Sequence, residues 1–258
     1  LACELAEICK ADQRTSCFSD DLIVGLKCGG SDAFSGISAN PSVGVLTDRL
    51  IGMGGSAVMT EIPEMFGAEQ LLLDRCVSKE KFDDLAKLIQ DFKRYFTDHD
   101  ESVGENPSPG NKEGGITTLE EKSLGCVLKG GHAAVCDVLR YGTRVRERGL
   151  TVLEAPGNDA TAQTALAAAG AQLVLFTTGR GTPLGGIVPT LKISTNTALA
   201  SAKPHWIDFD AGRAEKIGVT ETAEELMRLV IETANGKTTA AENNRSREIA
   251  VWKRGVTL

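Results

Sequence analysis

The feature that most constrains this chain is a repeated succession of short apolar runs and longer helix-like segments. Five runs have the composition of buried strands: 22–26, 57–62, 150–154, 173–177 and 188–193. The clearest helix is predicted over 80–96, where apolar residues recur at steps of three or four. Strands that alternate with helices indicate an α/β fold with a mostly parallel sheet. We predict two Rossmann-like lobes, 1–125 and 126–258.

Other segments predict where helices and loops fall between these strands. Further helices are expected at three places: from Pro41 with Asn40 as its cap, over 159–169, and over 222–234. Residues 99–115 contain too many prolines and glycines for regular structure, so we predict a long loop there. A capping-box match at Thr117 predicts the helix that follows this loop. We also expect a helix surface to carry Tyr141, Arg144 and Arg146.

Composition limits the classes of partner and the compartment. The formal net charge is −7, which argues against nucleic acid, because phosphate binding needs a basic face. The chain has no apolar run near the ~18 residues of a membrane span, so we expect no membrane partner. Its seven cysteines are scattered without a C-x-x-C pair, which is typical of reduced thiols in a cytoplasmic protein.

Glycine-rich polar loops follow the predicted strands, where ligands bind in open α/β sheets. In the first loop, Gly29 and Gly30 let the backbone approach a ligand closely. The same loop offers polar groups suited to hydroxyls: Ser31, Asp32, Ser35 and Asn40. A tight turn with capped ends would explain this composition equally well.

Two later loops are suited to a carboxylate. Gly114 and Gly115 precede a predicted helix whose N-terminus favours an anion, and Lys112 adds positive charge. Arg180, directly after a strand, can clamp a carboxylate in bidentate fashion. The candidate binding residues around them are Asn111, Thr178, Gly179, Gly181 and Thr182. A solvated charged turn remains an equal alternative for the Gly114 loop.

Two common site patterns are excluded. The stretch 52–57 matches the dinucleotide pattern G-x-G-x-x-A, but it follows a helix and precedes a strand, which is the wrong order. The phosphate-binding pattern G-x-x-x-x-G-K-[ST] is absent. His99, His132 and His205 are widely separated, so they do not form a metal-binding pair.

Four segments resemble the signature blocks of the altronate/galactarate dehydratase family, whose relatives include a sulfolactate sulfo-lyase subunit. They are KCGGSDAFSGISANP (27–41), TEIPEMFGAE (60–69), GNKEGGITTLEEKSLG (110–125) and LVLFTTGRGTPLGGIVPTLKISTN (173–196). The third block looks nearer to the altronate branch. The resemblance implies a hydro-lyase of sugar acid catabolism. Such an enzyme converts a sugar acid such as D-altronate to a 2-keto-3-deoxy acid, with Fe²⁺ or Mn²⁺.

The reaction removes a proton from C2 and a hydroxyl from C3, so it needs a base, an acid and stabilisation of the carboxylate charge. Arg180 and the Gly114–Gly115 backbone are the candidate carboxylate holders. The candidate bases are Lys112 and Lys122. The candidate acids or metal ligands are Glu61 and Glu64. Cys28 is the candidate ligand for a ferrous ion, with Asp32 as an alternative.

The resemblance also implies that full-length members carry more chain before this region, including a small N-terminal domain. A start at Leu1 fits such a fragment. We therefore expect an enzyme that acts on a small-molecule sugar acid and forms a homo-oligomer. We also expect the missing N-terminal region of the same protein to be its partner. The alternatives are a sulfo-lyase or dehydratase of another 2-hydroxy acid, or a non-catalytic sugar-acid-binding fragment of a larger dehydratase.

Overall fold

The predicted strands join one parallel sheet because runs that are apolar throughout need cover on both faces. A computed structural model describes residues 1–104 and 106–255. The strands are β1 (Ile23–Cys28), β2 (Ser56–Met59), β3 (Val135–Leu139), β4 (Leu150–Leu153), β5 (Leu173–Thr178), β6 (Thr190–Ser194) and β7 (Phe209–Asp210). They lie in the order β3-β4-β2-β1-β5-β6-β7, and every neighbouring pair is parallel. The predicted α/β class is confirmed.

Helices cover both faces of this sheet. They are α1 (Ala2–Ala11), α2 (Ala39–Gly52), α3 (Gln70–Leu73), α4 (Lys79–Thr97), α5 (Pro109–Glu113), α6 (Leu119–Val127), α7 (Asp159–Ala169), α8 (Thr197–Ala202), α9 (Ala214–Ile217), α10 (Val219–Ala234) and α11 (Ala240–Asn243). The main core joins α2, α4 and α10 to one face, and a smaller core joins the alanine-rich α7 to the other. Among the described residues, no helix is long and apolar enough to cross a membrane.

The predicted helices are present, and three local differences have clear causes. Helix α2 begins at Ala39 after Ser38, so Asn40 is not its cap, because the Asn40 side chain bonds Thr177 and Gly125 instead. The predicted loop 99–115 contains the short helix α5, because Ser108 caps it and Pro109 occupies its first position, where proline is favourable. The predicted helix that carries Tyr141, Arg144 and Arg146 is wrong. These residues lie in the irregular link between β3 and β4, because the segment before them forms the edge strand β3.

The strands of the two predicted lobes interleave in the single sheet. Strands β1 and β2, from the first lobe, lie between β4 and β5, from the second. The lobes therefore do not have separate sheets, and a boundary near residue 125 stays a prediction. Chain order changes direction beside β1, because β2 lies on one side of it and β5 on the other. A crevice at such a switch point is where open α/β sheets bind ligands.

The packing of α2 against the segment after α6 gives a stability prediction. A Cβ on Gly44 would lie 2.2 Å from the carbonyl oxygen of Leu128, whereas a Cβ on Gly52, in the same helix, meets nothing within 4 Å. We expect Gly44→Ala to lower the free energy of unfolding by about 1–3 kcal/mol through overpacking. Gly52→Ala should raise it by up to about 1 kcal/mol through helix propensity. Urea unfolding measures both, and equal effects would contradict this packing.

Candidate active site

The loops after β1 and β5 are fixed to each other at the switch point. The amide of Gly29 donates to the carbonyl of Thr177 at 3.0 Å, and the amides of Gly179 and Arg180 donate to the carbonyl of Gly30 at 3.0 and 3.1 Å. Gly30 has φ of 61°, a conformation that favours glycine. These bonds hold two of the predicted glycine-rich loops side by side.

A cavity of about 290 Å³ opens at these loops. Its walls come from six separated segments of the chain and are mostly polar. The lining residues are Gly29, Gly30, Ser31, Glu64, Asn106, Ser108, Gly110, Asn111, Lys122, Gly157, Asp159 and Arg180. Two carboxylates and two cations thus face one small space, which suits a polar, anionic molecule that needs proton transfer.

A buried ammonium supports one wall of the cavity. The Lys27 side chain is 0% exposed, and its Nζ lies 2.5 Å from Glu61 Oε1, 2.7 Å from Asp159 Oδ1 and 2.9 Å from the carbonyl oxygen of Cys28. Glu61 is held in the left-handed conformation at φ 66°, and its Oε2 accepts from the Cys28 amide at 3.0 Å. A non-glycine residue in this conformation marks a site where local strain is tolerated for positioning.

The charges of this group depend on one another. Burial lowers the pKa of Lys27, but the carboxylates of Glu61 and Asp159 more than reverse this, so its pKa is raised overall. Burial and the neighbouring Cys28 raise the pKa of Glu61 to about 8, against the opposing effect of the Lys27 ammonium. Lys27 is therefore the permanently charged member, because two carboxylates and a carbonyl surround it.

Two thiols and a carboxylate gather behind the cavity. Ligand atoms of Cys28, Glu64 and Cys126 all lie within 4.8 Å of one another, and all three residues are buried. The two sulfur atoms are 3.9 Å apart, and the Lys129 ammonium donates to Cys126 Sγ at 3.0 Å. The hydrogen bond from Cys28 and the charge of Lys129 lower the pKa of Cys126, whereas the same hydrogen bond and burial raise the pKa of Cys28. This arrangement favours a thiolate at Cys126.

Lys122 joins this cluster to the cavity. Its Nζ donates to Glu64 Oε1 and to Asn106 Oδ1, each at 2.9 Å. Glu64 Oε2 also lies 2.9 Å from this Nζ, but it is buried without a hydrogen-bond partner. Burial lowers the pKa of Lys122, but the Glu64 carboxylate raises it above its ordinary value overall. Lys122 is therefore held as an ammonium, which donates protons rather than accepting them.

Some predicted site residues build the loops instead of lining the cavity. Asp32 accepts at Oδ1 from Ser35 at 3.1 Å and at Oδ2 from Thr195 and Asn196 at 2.9 and 3.1 Å, and it is not part of the thiol cluster. Asn40 accepts from Thr177 at 2.7 Å and donates to the Gly125 carbonyl at 2.9 Å. These buried polar groups fasten neighbouring segments to each other.

The remaining predicted residues lie around Arg180 and α5. Thr178 Oγ1 accepts from the Gly181 amide at 2.9 Å, and Thr182 Oγ1 accepts from the Leu184 amide at 3.2 Å, so both shape the loop that carries Arg180. The Arg180 guanidinium lies over Gly110, and its Nη2 is 3.3 Å from Glu113 Oε2.

Three of the predicted residues near α5 do not face the cavity. The Gly114 carbonyl accepts from Ala33 at 2.9 Å, and Gly115 has φ of 93°. Lys112 is exposed and does not line the cavity.

Sequence reasoning missed several residues that the fold brings to this site. They are Lys27, Asn106, Ser108, Cys126, Lys129 and Asp159. One signal was available, because Lys122, Cys126 and Lys129 follow at steps of four and three and so share one side of α6 and its extension. Asp159 had no comparable signal. It comes close to Lys27 only because α7 begins beyond β4 and packs across β1.

Comparisons with known proteins agree on one family. The family model described as D-galactarate/altronate dehydratase, C-terminal, matches residues 19–257. The chain is 54% identical over 256 residues to altronate dehydratase of Escherichia coli (strain K12), covering 99% of this chain and 52% of that protein. It is 55% identical over 257 residues to altronate dehydratase of Bacillus subtilis (strain 168), with coverage of 99% and 52%.

A more distant relative belongs to the other branch of the family. The chain is 37% identical over 228 residues to galactarate dehydratase (L-threo-forming) of Escherichia coli (strain K12), covering 87% of this chain and 44% of that protein. The chain thus spans about half the length of the curated relatives it matches.

The buried Lys27 group gives a prediction for stability. Lys27→Met leaves two carboxylates without their cation, so we expect the free energy of unfolding to fall by about 3–5 kcal/mol. Lys79→Met is the matched control, because Lys79 pairs with Asp83 at 2.8 Å while 83% exposed. It should cost less than about 0.5 kcal/mol. Denaturant unfolding compares the two, and a similar small loss in both would show that the buried pairing contributes little.

Proposed function

The chain belongs to the D-galactarate/altronate dehydratase family, and from this premise we propose that it carries the site of a hydro-lyase. The enzyme eliminates water from a sugar acid such as D-altronate and yields a 2-keto-3-deoxy acid. One observation carries the proposal: a small polar cavity at the switch point holds two cations and two carboxylates beside a buried thiol cluster. Elimination beside a carboxylate needs this combination of charge stabilisation and proton transfer.

We assign binding roles to the residues that line the cavity. Arg180 binds the substrate carboxylate, since a guanidinium presents two parallel donors to it. Hydroxyl groups of the sugar acid are held by Ser31, Ser108 and Asn111 and by backbone groups of Gly29 and Gly30. These polar groups belong to loops that are already fixed by their own hydrogen bonds, so little ordering is needed when the substrate binds.

Lys122 protonates the departing C3 hydroxyl in this proposal. Its ammonium faces the cavity and is oriented by Glu64 and Asn106 at 2.9 Å. This assignment replaces the sequence-based role of Lys122 as the base, because a lysine with a raised pKa is already protonated at neutral pH and cannot accept a proton. Lys112 is not retained for either role, because it is exposed outside the cavity.

Cys28, Glu64 and Cys126 fit a divalent metal ion. Their ligand atoms cluster within 4.8 Å, and the buried Glu64 Oε2 is contacted by the Lys122 ammonium at 2.9 Å but accepts no hydrogen bond. Two sulfur ligands with one oxygen suit Fe²⁺ better than Mn²⁺, because manganese prefers oxygen ligands. The positive charges of Lys122 and Lys129 repel a bound dication, but the negative charge of a coordinated thiolate reduces this repulsion. When bound, the ion supplies positive charge that stabilises the carboxylate as negative charge builds on it.

We further propose a cytoplasmic location, because all seven cysteines are free thiols. A homo-oligomer stays a prediction. We also propose that a second segment of the same protein, matching the other half of these relatives, contributes to the complete enzyme. A sugar-acid-binding fragment without turnover is the alternative, and it predicts that this chain binds the acid while only a longer protein converts it.

Turnover tests the reaction and the role of Lys122. The protein, purified without oxygen and supplied with ferrous ion, should convert D-altronate to a 2-keto-3-deoxy acid. Galactarate and sulfolactate should react more slowly. We expect Lys122→Met to lower kcat by about 10²–10⁴-fold, because the proton donor is lost. Lys81→Met is the control, since Lys81, on α4, also pairs with a carboxylate, that of Asp137 on the edge strand β3, and does not line the cavity. Faster turnover of sulfolactate would instead favour the sulfo-lyase.

Metal binding can be tested without turnover. Cobaltous ion should give a thiolate charge-transfer absorption band in the near ultraviolet, because two sulfur ligands bind it. Cys126→Ser should reduce this band to about half, since one of the two sulfur ligands is lost. Cys136→Ser, on β3 and outside the cluster, should leave it unchanged. A band of undiminished intensity in Cys126→Ser would place the metal elsewhere.

A further inference from the structure

The proposed reaction leaves one role without a residue, which is the base that removes the C2 proton. Among the described residues that line the cavity, four side chains carry charge: Glu64, Lys122, Asp159 and Arg180. Arginine does not give up its proton in proteins, so Arg180 is not a base. Lys122 donates hydrogen bonds to two acceptors and is ion-paired. Glu64 is the partner of Lys122 and belongs to the thiol cluster.

We propose that Asp159 is the catalytic base, held in position by the buried ammonium of Lys27. This inference rests on the proposed function and assigns a residue that neither the sequence motifs nor the family comparison singled out. In the step, the C2–H bond breaks, its proton moves to a carboxylate oxygen of Asp159, and its electron pair moves toward C1. The C3–O bond then breaks, and the hydroxyl leaves as water with a proton from Lys122.

The position of Asp159 fits this role. Both of its carboxylate oxygens lie 2.7 Å from the place that a Cβ on Gly29 would occupy, so the carboxylate rests against that wall of the cavity. Its Oδ1 is held by Lys27 at 2.7 Å, and no described residue donates a hydrogen bond to Oδ2. The side chain is 36% exposed, whereas that of Lys27 is 0% exposed. One oxygen is therefore fixed from behind while the other is available to a substrate.

Lys27 acts here as a positioning residue. Its three N–H bonds are used by the Cys28 carbonyl, Glu61 and Asp159. Lys27 thereby fixes the position of Asp159 Oδ1, and the proton that Asp159 takes up lies on a partly exposed carboxylate rather than on a fully buried group. The Asp159 carboxylate and the Phe176 ring together fill the space that a Cβ on Gly29 would need.

The proposal is tested by the kinetics of the Asp159→Asn variant, made in the natural full-length protein. We expect kcat for the sugar acid to fall by about 10²–10⁴-fold, with KM changed by less than about threefold, because the amide keeps the shape but cannot take a proton. Asp137→Asn is the matched control, since Asp137 pairs with Lys81 at 2.8 Å but lies on β3, away from the cavity. Its kcat should stay at the parent value.

Chemical rescue separates a base from a structural carboxylate. Asp159→Gly leaves space for formate, which should restore turnover in a saturable manner, while formate should leave Asp137→Asn and the parent unchanged. If circular dichroism shows that the Asp159→Gly variant is unfolded, the Asp159→Ala variant is used in its place. The assignment of Asp159 as the base is overturned if Asp159→Asn turns over within about threefold of the parent, or if formate does not rescue a folded variant. Either result leaves the proposed function intact. A parent protein that converts no sugar acid overturns the proposed function, and this inference with it.

Discussion

The ammonium of Lys27 connects the parts of the chain on which the site depends. It lies near the end of β1, and its three hydrogen bonds reach the residue after it, Glu61 beyond β2, and Asp159 at the start of α7. Since α7 packs on the face of the sheet opposite α2, this single charge links that helix to the ends of β1 and β2 at the edge where ligands bind. Removing a charge of this kind leaves its partners buried and unpaired, which is costly.

The same edge concentrates positive charge in a chain whose net charge is −7. Lys27, Lys122, Lys129 and Lys192 have exposures of 0%, 9%, 1% and 1%. Lys192 donates to the carbonyls of Thr182 and Leu184, and so supports the loop that carries Arg180. Burial lowers the pKa of Lys192 to about 8. Cations removed from water act strongly on a nearby anion, so an acidic protein can still attract an anionic substrate at one place.

Much of the fold could be predicted from the sequence, because strand and helix periodicity are local properties. Helix α7 was predicted with its observed bounds, and α4 within one residue at each end. Strand β3 was missed because Asp137 interrupts its short apolar run, although burial alternates along it as expected for an edge strand. The order of strands was not predicted, because pairing between β1 and β5 joins residues about 150 positions apart.

The site could be predicted only in part, because local patterns reveal some of its residues and tertiary packing supplies the others. Motif glycines and Arg180 were found because loops after strands are where ligands bind, and several do line the cavity. Asp32 and Asn40 looked like ligands but fasten loops, and no local pattern separates these uses of a buried polar residue. Cys126 and Asp159 belong to the site only through tertiary packing, which brings them to Cys28 and Lys27 from about 100 and 130 positions away.

The central claim is that one cavity at the switch point holds both the sugar acid and a metal ion. The most direct measurement is a crystal structure with ferrous ion and an unreactive sugar acid, with anomalous data recorded at the iron edge. We expect one iron peak among Cys28, Glu64 and Cys126, with the acid's carboxylate on Arg180 and its C2 hydrogen toward Asp159. An iron peak away from these sulfur atoms, or an acid bound outside the cavity, would contradict it.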